Sequence, residues 1–386
     1  MFYYRYRSGS ELSIKELIYD ELYFGSRAEC NDPYEGKIFA VLDKDETFWN
    51  NLVHVALKFF NNDTVEYLLK RIIEFYISKA PMYIDELLKI SKDEFLQLGN
   101  DEFETTILKN MYDTLNKYIS LYLPVEQYFA CFSRNMNNYL MWSHYANNHT
   151  GFCLVFKPIN QEIQQNPFWK KTHVGIKIPQ GKIPYINLTV DDSFTIQDVK
   201  YVAEPTCLDG MMCFPGGVVG ERYTPQEIEE FQRQYSQTYL QKHSVWGYEE
   251  ESRVVLSTIY PWMTGGAISI TPHDRLFRYN PTQLVGIVLG VKMPKSQRDR
   301  IKEIITEKVE RWYIPTTGHR IISNFILFEE TLSETNREVI IEPKEIYTGA
   351  SVIMKDNPDF ARLYDEWQNG YAIEFDDNSA KKIIVK

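Results

Sequence analysis

Cysteine is scarce in this chain of 386 residues: Cys30, Cys131, Cys153, Cys207 and Cys213 are an odd set with no Cys-x-x-Cys pair. That excludes a disulfide framework and a thiolate zinc site, and reads as reduced thiols in a cytoplasmic protein. No window approaches the roughly 20 apolar residues of a membrane span, and the opening Met-Phe-Tyr-Tyr-Arg-Tyr-Arg carries charge where a secretory leader needs an apolar stretch. No membrane partner is therefore expected. Positive charge is in deficit, with 42 Lys and Arg against 53 Asp and Glu, a net charge of -11. This disfavours unspecific attraction to phosphate backbones, so nucleic acid enters only as a locally steered substrate. Phosphate cradles of the G-x-x-x-x-G-K-[ST] and G-x-G-x-x-G types are missing, as are H-E-x-x-H and G-x-S-x-G. His144 and His149 are five apart, so a metal site would need Asp32, Glu35, Glu249 and Glu251 as well, and no metal is expected.

What is present is an ordinary globular interior, 44% hydrophobic, with an unusual 15% of aromatics. At this length one large domain with insertions, or two unequal ones, is expected. The order of elements predicts an α+β fold: a mixed sheet core over residues 1–330, a helical insertion over 47–123, and a small C-terminal αβ appendage over 331–386. The opening unit reads as a strand over Phe2 to Arg7, a helix near 11–20 capped by Ser8 or Ser10, a strand over Leu22 to Phe24 and a closing strand over Lys37 to Leu42. Ile14, Leu17 and Ile18 form the expected buried side of that helix. A strand over Gln127 to Ser133, a helix over Tyr139 to Ala146 and an apolar strand over Gly151 to Phe156 form the expected centre. A hairpin near 174–188 and a polar turn at Thr264-Gly265-Gly266 complete the expectation, and a helix over Glu227 to His243 leads into the densest charge cluster.

That cluster, Lys242-His-Ser-Val-Trp-Gly-Tyr-Glu-Glu-Glu-Ser-Arg253, runs directly into Val-Val-Leu. If the extended conformation begins near Tyr248, Glu249, Glu251 and Arg253 share one face and Glu250 takes the other. Two carboxylates in one site suit general acid and base chemistry, and the same residues would equally serve as solvated gatekeepers of a strand edge. His144, in Trp-Ser-His-Tyr, has two readings as well, a base or a packed core residue.

Several segments together resemble the bacterial family known as domain of unknown function 2971. They are Tyr-Arg-Tyr-Arg-Ser near the start, Leu-Tyr-Phe-Gly-Ser, Asn-Asp-Pro-Tyr-Glu at 31–35, Cys-Phe-Ser at 131–133, Leu-Met-Trp-Ser-His-Tyr-Ala with Gly-Phe-Cys-Leu-Val-Phe over 140–156, and Lys242 to Trp246 with Tyr248, Glu249, Glu251 and Arg253. A looser resemblance is to the ADP-ribosyltransferases, which carry an early arginine, a Ser or Tyr after a second strand and a late Glu-x-Glu. That resemblance implies an NAD-consuming enzyme, a toxin or defence effector, with NAD as substrate and a protein or nucleic acid as acceptor. It also implies a restraining partner protein. In its terms Arg5 or Arg7, with Ser26, Tyr145 and Arg253, would bind NAD, Glu251 would face the ribose, and Glu249 would orient or deprotonate the acceptor; His144 is a further catalytic candidate, and an alternative assignment puts His144 or Tyr145 on the nicotinamide side. The alternative is a nucleotide- or nucleic-acid-binding module in the same cleft, including a metal-dependent nuclease. The second motif lacks its Ser-Thr-Ser form and the helical insertion is large, so the order of residues carries this resemblance.

Overall fold

The computed structural model describes residues 1–60, 65–177, 185–256, 269–314, 319–349, 351–376 and 379–385. The fold is α+β. Along the chain come β1 (Tyr3–Arg7), α1 (Glu11–Tyr19), β2 (Glu21–Tyr23), β3 (Phe39–Leu42), α2 (Glu46–Ala56), α3 (Glu66–Lys79) and β4 (Met82–Tyr83). Next are α4 (Lys92–Leu96), α5 (Glu102–Ser120), β5 (Tyr128–Ser133), α6 (Tyr139–Tyr145), β6 (Phe152–Phe156), β7 (Gln197–Asp198), β8 (Cys207–Asp209), α7 (Pro225–Thr238), β9 (Gln241–His243) and β10 (Glu251–Leu256). Then come β11 (Leu284–Leu289), α8 (Lys295–Trp312), β12 (Phe325–Leu332), β13 (Val339–Tyr347), β14 (Val352–Met354) and α9 (Phe360–Gln368), and two strands, Tyr371–Asp376 and Ser379–Ile384, end the described order.

Nine strands make the central sheet, in the order β7-β10-β5-β1-β6-β11-β12-β13-β14. All pairings are antiparallel except β11 with β12, which α8 connects. Both faces are covered, which is why β6 and β11 are apolar at every position. On one face Tyr3, Phe132 and Leu154 pack with Ile14 and Leu17 of α1 and Ile301 and Ile305 of α8. On the other, Tyr6, Cys153 and Val288 pack with Trp142 of α6 and Trp367 of α9. Each large side chain buried in this way contributes roughly 1.5–3 kcal/mol.

Helix α1 begins where Ser10 accepts from the Ser13 amide, and it ends at Asp20 in the left-handed region, φ 58°. Its buried side is Ser13, Ile14, Glu16 and Leu17, whereas Ile18, expected inside, is 39% exposed because it lies one residue past the stripe that meets the sheet. Three other expectations change. Strand β3 does not close the opening unit: it pairs with β4 and β8 in a separate small sheet. Helices α2 to α5 share a core with β3, α7 and the segment at 208–218, so the helical unit is assembled from two distant stretches of chain, not from 47–123 alone. Within residues 331–386, β13 and β14 extend the central sheet and α9 covers it, while Tyr371–Asp376 and Ser379–Ile384 form a separate three-stranded sheet with Arg320–Ile322. The expected hairpin forms, as His173–Lys177 paired with Tyr185–Thr189. The turn at Thr264-Gly265-Gly266 lies outside the described residues.

Candidate active site

The chain enters β10 through a sharp local turn. Strand β9 is followed by six residues of 3-10 helix, about two turns, Ser244–Glu249, started by His243, whose Nδ1 accepts from the Val245 amide. The strand therefore begins at Glu251 and not near Tyr248. Glu250 links the two with φ 44°, a conformation that costs a non-glycine residue about 1–3 kcal/mol. Its carbonyl accepts from the Arg134 amide at 2.9 Å and its carboxylate from Asn135 Nδ2 at 2.9 Å. The consequence is that Glu249 and Glu251 both point inward, as expected, but the turn at Glu250 achieves it; strand alternation holds only between Glu251 and Arg253. Asn138, which caps α6 through the amides of Leu140 and Met141, also donates to the Tyr248 carbonyl at 2.7 Å and locks the turn against α6.

Behind the turn lies a buried ionic cluster. Lys242 Nζ is 2.6 Å from Glu249 Oε2, 2.9 Å from Glu251 Oε2 and 3.4 Å from Glu35 Oε2. Arg253 Nε is 2.6 Å from Glu251 Oε1, its NH1 donates to the Tyr239 carbonyl at 2.6 Å, and its NH2 pairs with Glu35. The guanidinium lies 4.5 Å from the centroid of Phe129, and the ammonium 5.1 Å from that of Trp246. The Glu251 amide donates to Tyr201 Oη, and Tyr145 Oη donates to Glu249 Oε1 at 2.6 Å. Every one of the five charged groups is buried.

Three carboxylates face two cations, so full ionisation would leave a net negative charge in a dry interior, and a proton is the inexpensive remedy. The carboxyls differ in how they answer. Burial pushes Glu249 and Glu35 up, and the neighbouring cations pull each back only in part. Burial also works against Glu251, but Arg253 and Lys242 overcome it and hold this carboxyl down at about 2. Lys242 and Arg253 are both kept charged by the carboxylates around them, against their own burial. One fixed anion thus stands beside a carboxyl that exchanges protons above the ordinary glutamate range.

The cluster forms one wall of a cleft of about 500 Å³. Its origin is a split in the sheet. Strand β1 pairs with β6 over five positions but with β5 only at Tyr4↔Ser133, after which the two strands diverge. Tyr4, Ser133 and Glu251 are cross-strand partners on one face, while Arg5 and Arg7 point to the other, and the wedge lets both faces reach one cavity. Arg7 pairs with Glu16. Arg5 makes no salt bridge among the described residues: it donates to the carbonyls of Cys131 at 3.4 Å and Tyr23 at 3.5 Å, both long. Burial pulls its pKa down to about 10, so it remains a cation.

Of the residues singled out in the sequence, Arg5, Arg7, His144, Tyr145, Glu249 and Glu251 all line this cleft. His144 is exposed at its rim, its ring 6.3 Å from that of Tyr248. Two do not line it. Ser26 caps a turn at 27–29, its hydroxyl donating to Glu29 at 2.8 Å, and Glu29 is tied to Arg275; it is a structural hydroxyl. Arg253 sits fully buried behind the carboxylates, where it supports them and meets no solvent. His149 belongs elsewhere, paired with Glu330 at 2.5 Å, and Asp32 accepts the Tyr34 amide in a local turn. Lys242 and Glu35 are the members that sequence reasoning underrated. Lys242 stood at the start of the charge cluster over 242–253 with no role of its own, and Glu35 figured as a candidate metal ligand. Glu35, Cys131 and Glu251 do bring their donor atoms within 4.8 Å of one another, but Lys242 and Arg253 already supply the positive charge there.

Residues 141–254 match the family described as protein of unknown function DUF2971. The matched stretch carries α6, Lys242, both cleft glutamates and Arg253; the resembling segments before residue 141, including Arg5 and Glu35, fall outside it. No curated protein and no solved structure matches the chain. No helix among the described residues is long and apolar enough to cross a membrane.

Proposed function

We propose that the cleft binds NAD and transfers its ADP-ribose to an acceptor, in the cytoplasm where NAD is held. The observation that carries this reading is Arg5: a buried guanidinium that makes no salt bridge among the described residues and lines the same cleft as Glu249 and Glu251. A buried cation without a partner is costly, and a pyrophosphate would supply the missing charge with bidentate geometry. The cavity is of a size that suits a small ligand.

The division of labour follows from the electrostatics. The bond between the ribose carbon and the nicotinamide nitrogen breaks, the electron pair leaves with nicotinamide, and the ribose becomes an oxocarbenium ion. Glu251, held anionic by Arg253 and Lys242, is the carboxylate suited to stabilise that cation and to accept from a ribose hydroxyl. The acceptor's nucleophile then bonds to the ribose carbon and surrenders its proton. Glu249, with its raised pKa and its hydrogen bond from Tyr145, is suited to take it. His144, exposed at the rim, is the residue this reading assigns to meeting the acceptor. The metal-nuclease alternative draws less support, because two buried cations neutralise the same carboxylates that would ligate a metal ion.

The test is incubation of the protein with labelled NAD and cell lysate, following free nicotinamide and label on macromolecules. The expected result is nicotinamide release that Arg5→Ala and Glu249→Gln each abolish and that EDTA leaves intact. Absence of NAD consumption, or undiminished consumption by Arg5→Ala, overturns the reading.

A further inference from the structure

On the far side of Lys242 and Glu35 from the cleft lies a second cavity, about 660 Å³, which the reaction above does not use. Its walls come from the two halves of the molecule: Phe39 and Tyr83 from the β3–β4 pair of the helical unit, and Trp246 from the turn that follows β9. Tyr34 forms the rim at 65% exposure, and Tyr83 is 39% exposed, so aromatic surface is presented to the cavity and not consumed in a core.

The charges inside sort clearly. Asp32 is occupied by the Tyr34 amide, Glu35 by Arg253 and Lys242, and Lys242 by three carboxylates, while Glu204 is exposed at the edge. Lys37 is different. Its ammonium lies 4.9 Å from the Phe39 centroid and 5.7 Å from that of Tyr83, and its nearest carboxylate among the described residues is Asp85 at 3.9 Å, beyond hydrogen-bond reach. Asp85 is itself engaged by Lys89 at 2.9 Å. The cavity thus offers aromatic faces for a planar ring and one loosely paired ammonium for an anion.

We propose that this groove binds a mononucleotide, with its base against the aromatic walls and its phosphate at Lys37. Base stacking on aromatic side chains tolerates any base, and a Lys ammonium meets phosphate as a point charge. A groove of about 660 Å³ with one loosely paired cation among the described residues suits one nucleotide and not a strand, which needs a track of cations; the net charge of -11 argues the same way. This inference is independent of NAD turnover and survives its failure.

The experiment titrates the full chain with AMP and CMP, following tryptophan fluorescence and heat of binding. Saturable one-to-one binding is expected, weakened about tenfold or more by Lys37→Ala and by Tyr83→Ala, each with an unchanged melting curve, and left intact in Arg5→Ala. Three results overturn the proposal: no saturable binding at millimolar nucleotide, binding lost in Arg5→Ala but kept in Lys37→Ala, which would place the nucleotide in the cleft, or affinity for oligothymidylate that rises with strand length.

Discussion

Two buried acid-base clusters flank α6, and they are built on opposite terms. On one side His149 Nδ1 meets Glu330 Oε1 at 2.5 Å, Glu330 also accepts the Val291 amide at 2.9 Å, and Ser143 Oγ lies 3.3 Å from the other ring nitrogen. One acid faces one base, both are sealed, and three successive left-handed residues, Asn147, Asn148 and His149, deliver the imidazole there. On the other side, three carboxylates share two cations and open on a cleft. Burial alone therefore does not distinguish a staple from a site. Surplus charge of one sign, together with access, does, because only then does a proton or a ligand have a thermodynamic reason to come and go.

The hardest blow to this contrast is Arg253→Met, which strips Glu35 and Glu251 of their closest cation. Breaking a buried pair on one side costs about 3–5 kcal/mol, so urea unfolding should shift by that amount and activity vanish with the fold. Glu251→Gln shares part of this cost, since Glu251 bonds both cations, so it is a poor probe of catalysis. Glu249→Gln is the sharper change. It removes the surplus charge while keeping the acceptor for Tyr145, and NAD turnover should fall by about 10²–10⁴ with the melting midpoint nearly unmoved. Its counterpart across α6, Glu330→Gln, should do the reverse, lowering stability by about 1–3 kcal/mol while turnover persists. If both variants lose turnover equally at equal stability, the distinction between staple and site fails.

Tyr145→Phe tests the proton inventory. Glu249 acts as a base only above its own raised pKa, and the Tyr145 hydroxyl favours its anion. Removing that donor raises the pKa further, so the ascending limb of the rate against pH should move to higher pH; a limb that stays or moves down contradicts Glu249 as the base. The smallest effect is expected from Glu250→Gln. Among the described residues its carboxylate hydrogen-bonds Asn135 alone, so stability should stay within about 0.5 kcal/mol and turnover should be unchanged. Replacing Glu250 with glycine, by contrast, relieves the left-handed backbone and should stabilise slightly.

The centre of the fold was legible because its signals are local. The apolar run at 152–156 could only be a strand covered on both faces, and β10 carries its Arg and Glu two apart. The helical unit was legible as helices but not as a unit, because its partner segment at 207–239 lies almost a hundred residues further along and carries no periodic mark of where it docks. In the site, Glu249, Glu251, Tyr145 and the early arginines were visible as unusual chemistry. The turn at Glu250 was not, since nothing in three consecutive glutamates says that the middle one is left-handed.

By itself the sequence determined most of the apolar interior and most of the helices and strands, because hydrophobic period and capping act over a few residues; it misplaced Ile18 and ran the helix from Glu227 on to His243, where the chain is helical only over Pro225–Thr238 and Gln241–His243 is a strand. It also set the imbalance of charge around Lys242. Only the tertiary structure decided that β1 and β5 part after a single pair, that Glu35 arrives from more than two hundred residues away to share Arg253, and that Arg5 lines a cleft with no salt bridge among the described residues. Those are long-range facts of register and burial, and a buried charge acquires its meaning from whatever else the fold has placed within a few ångströms of it.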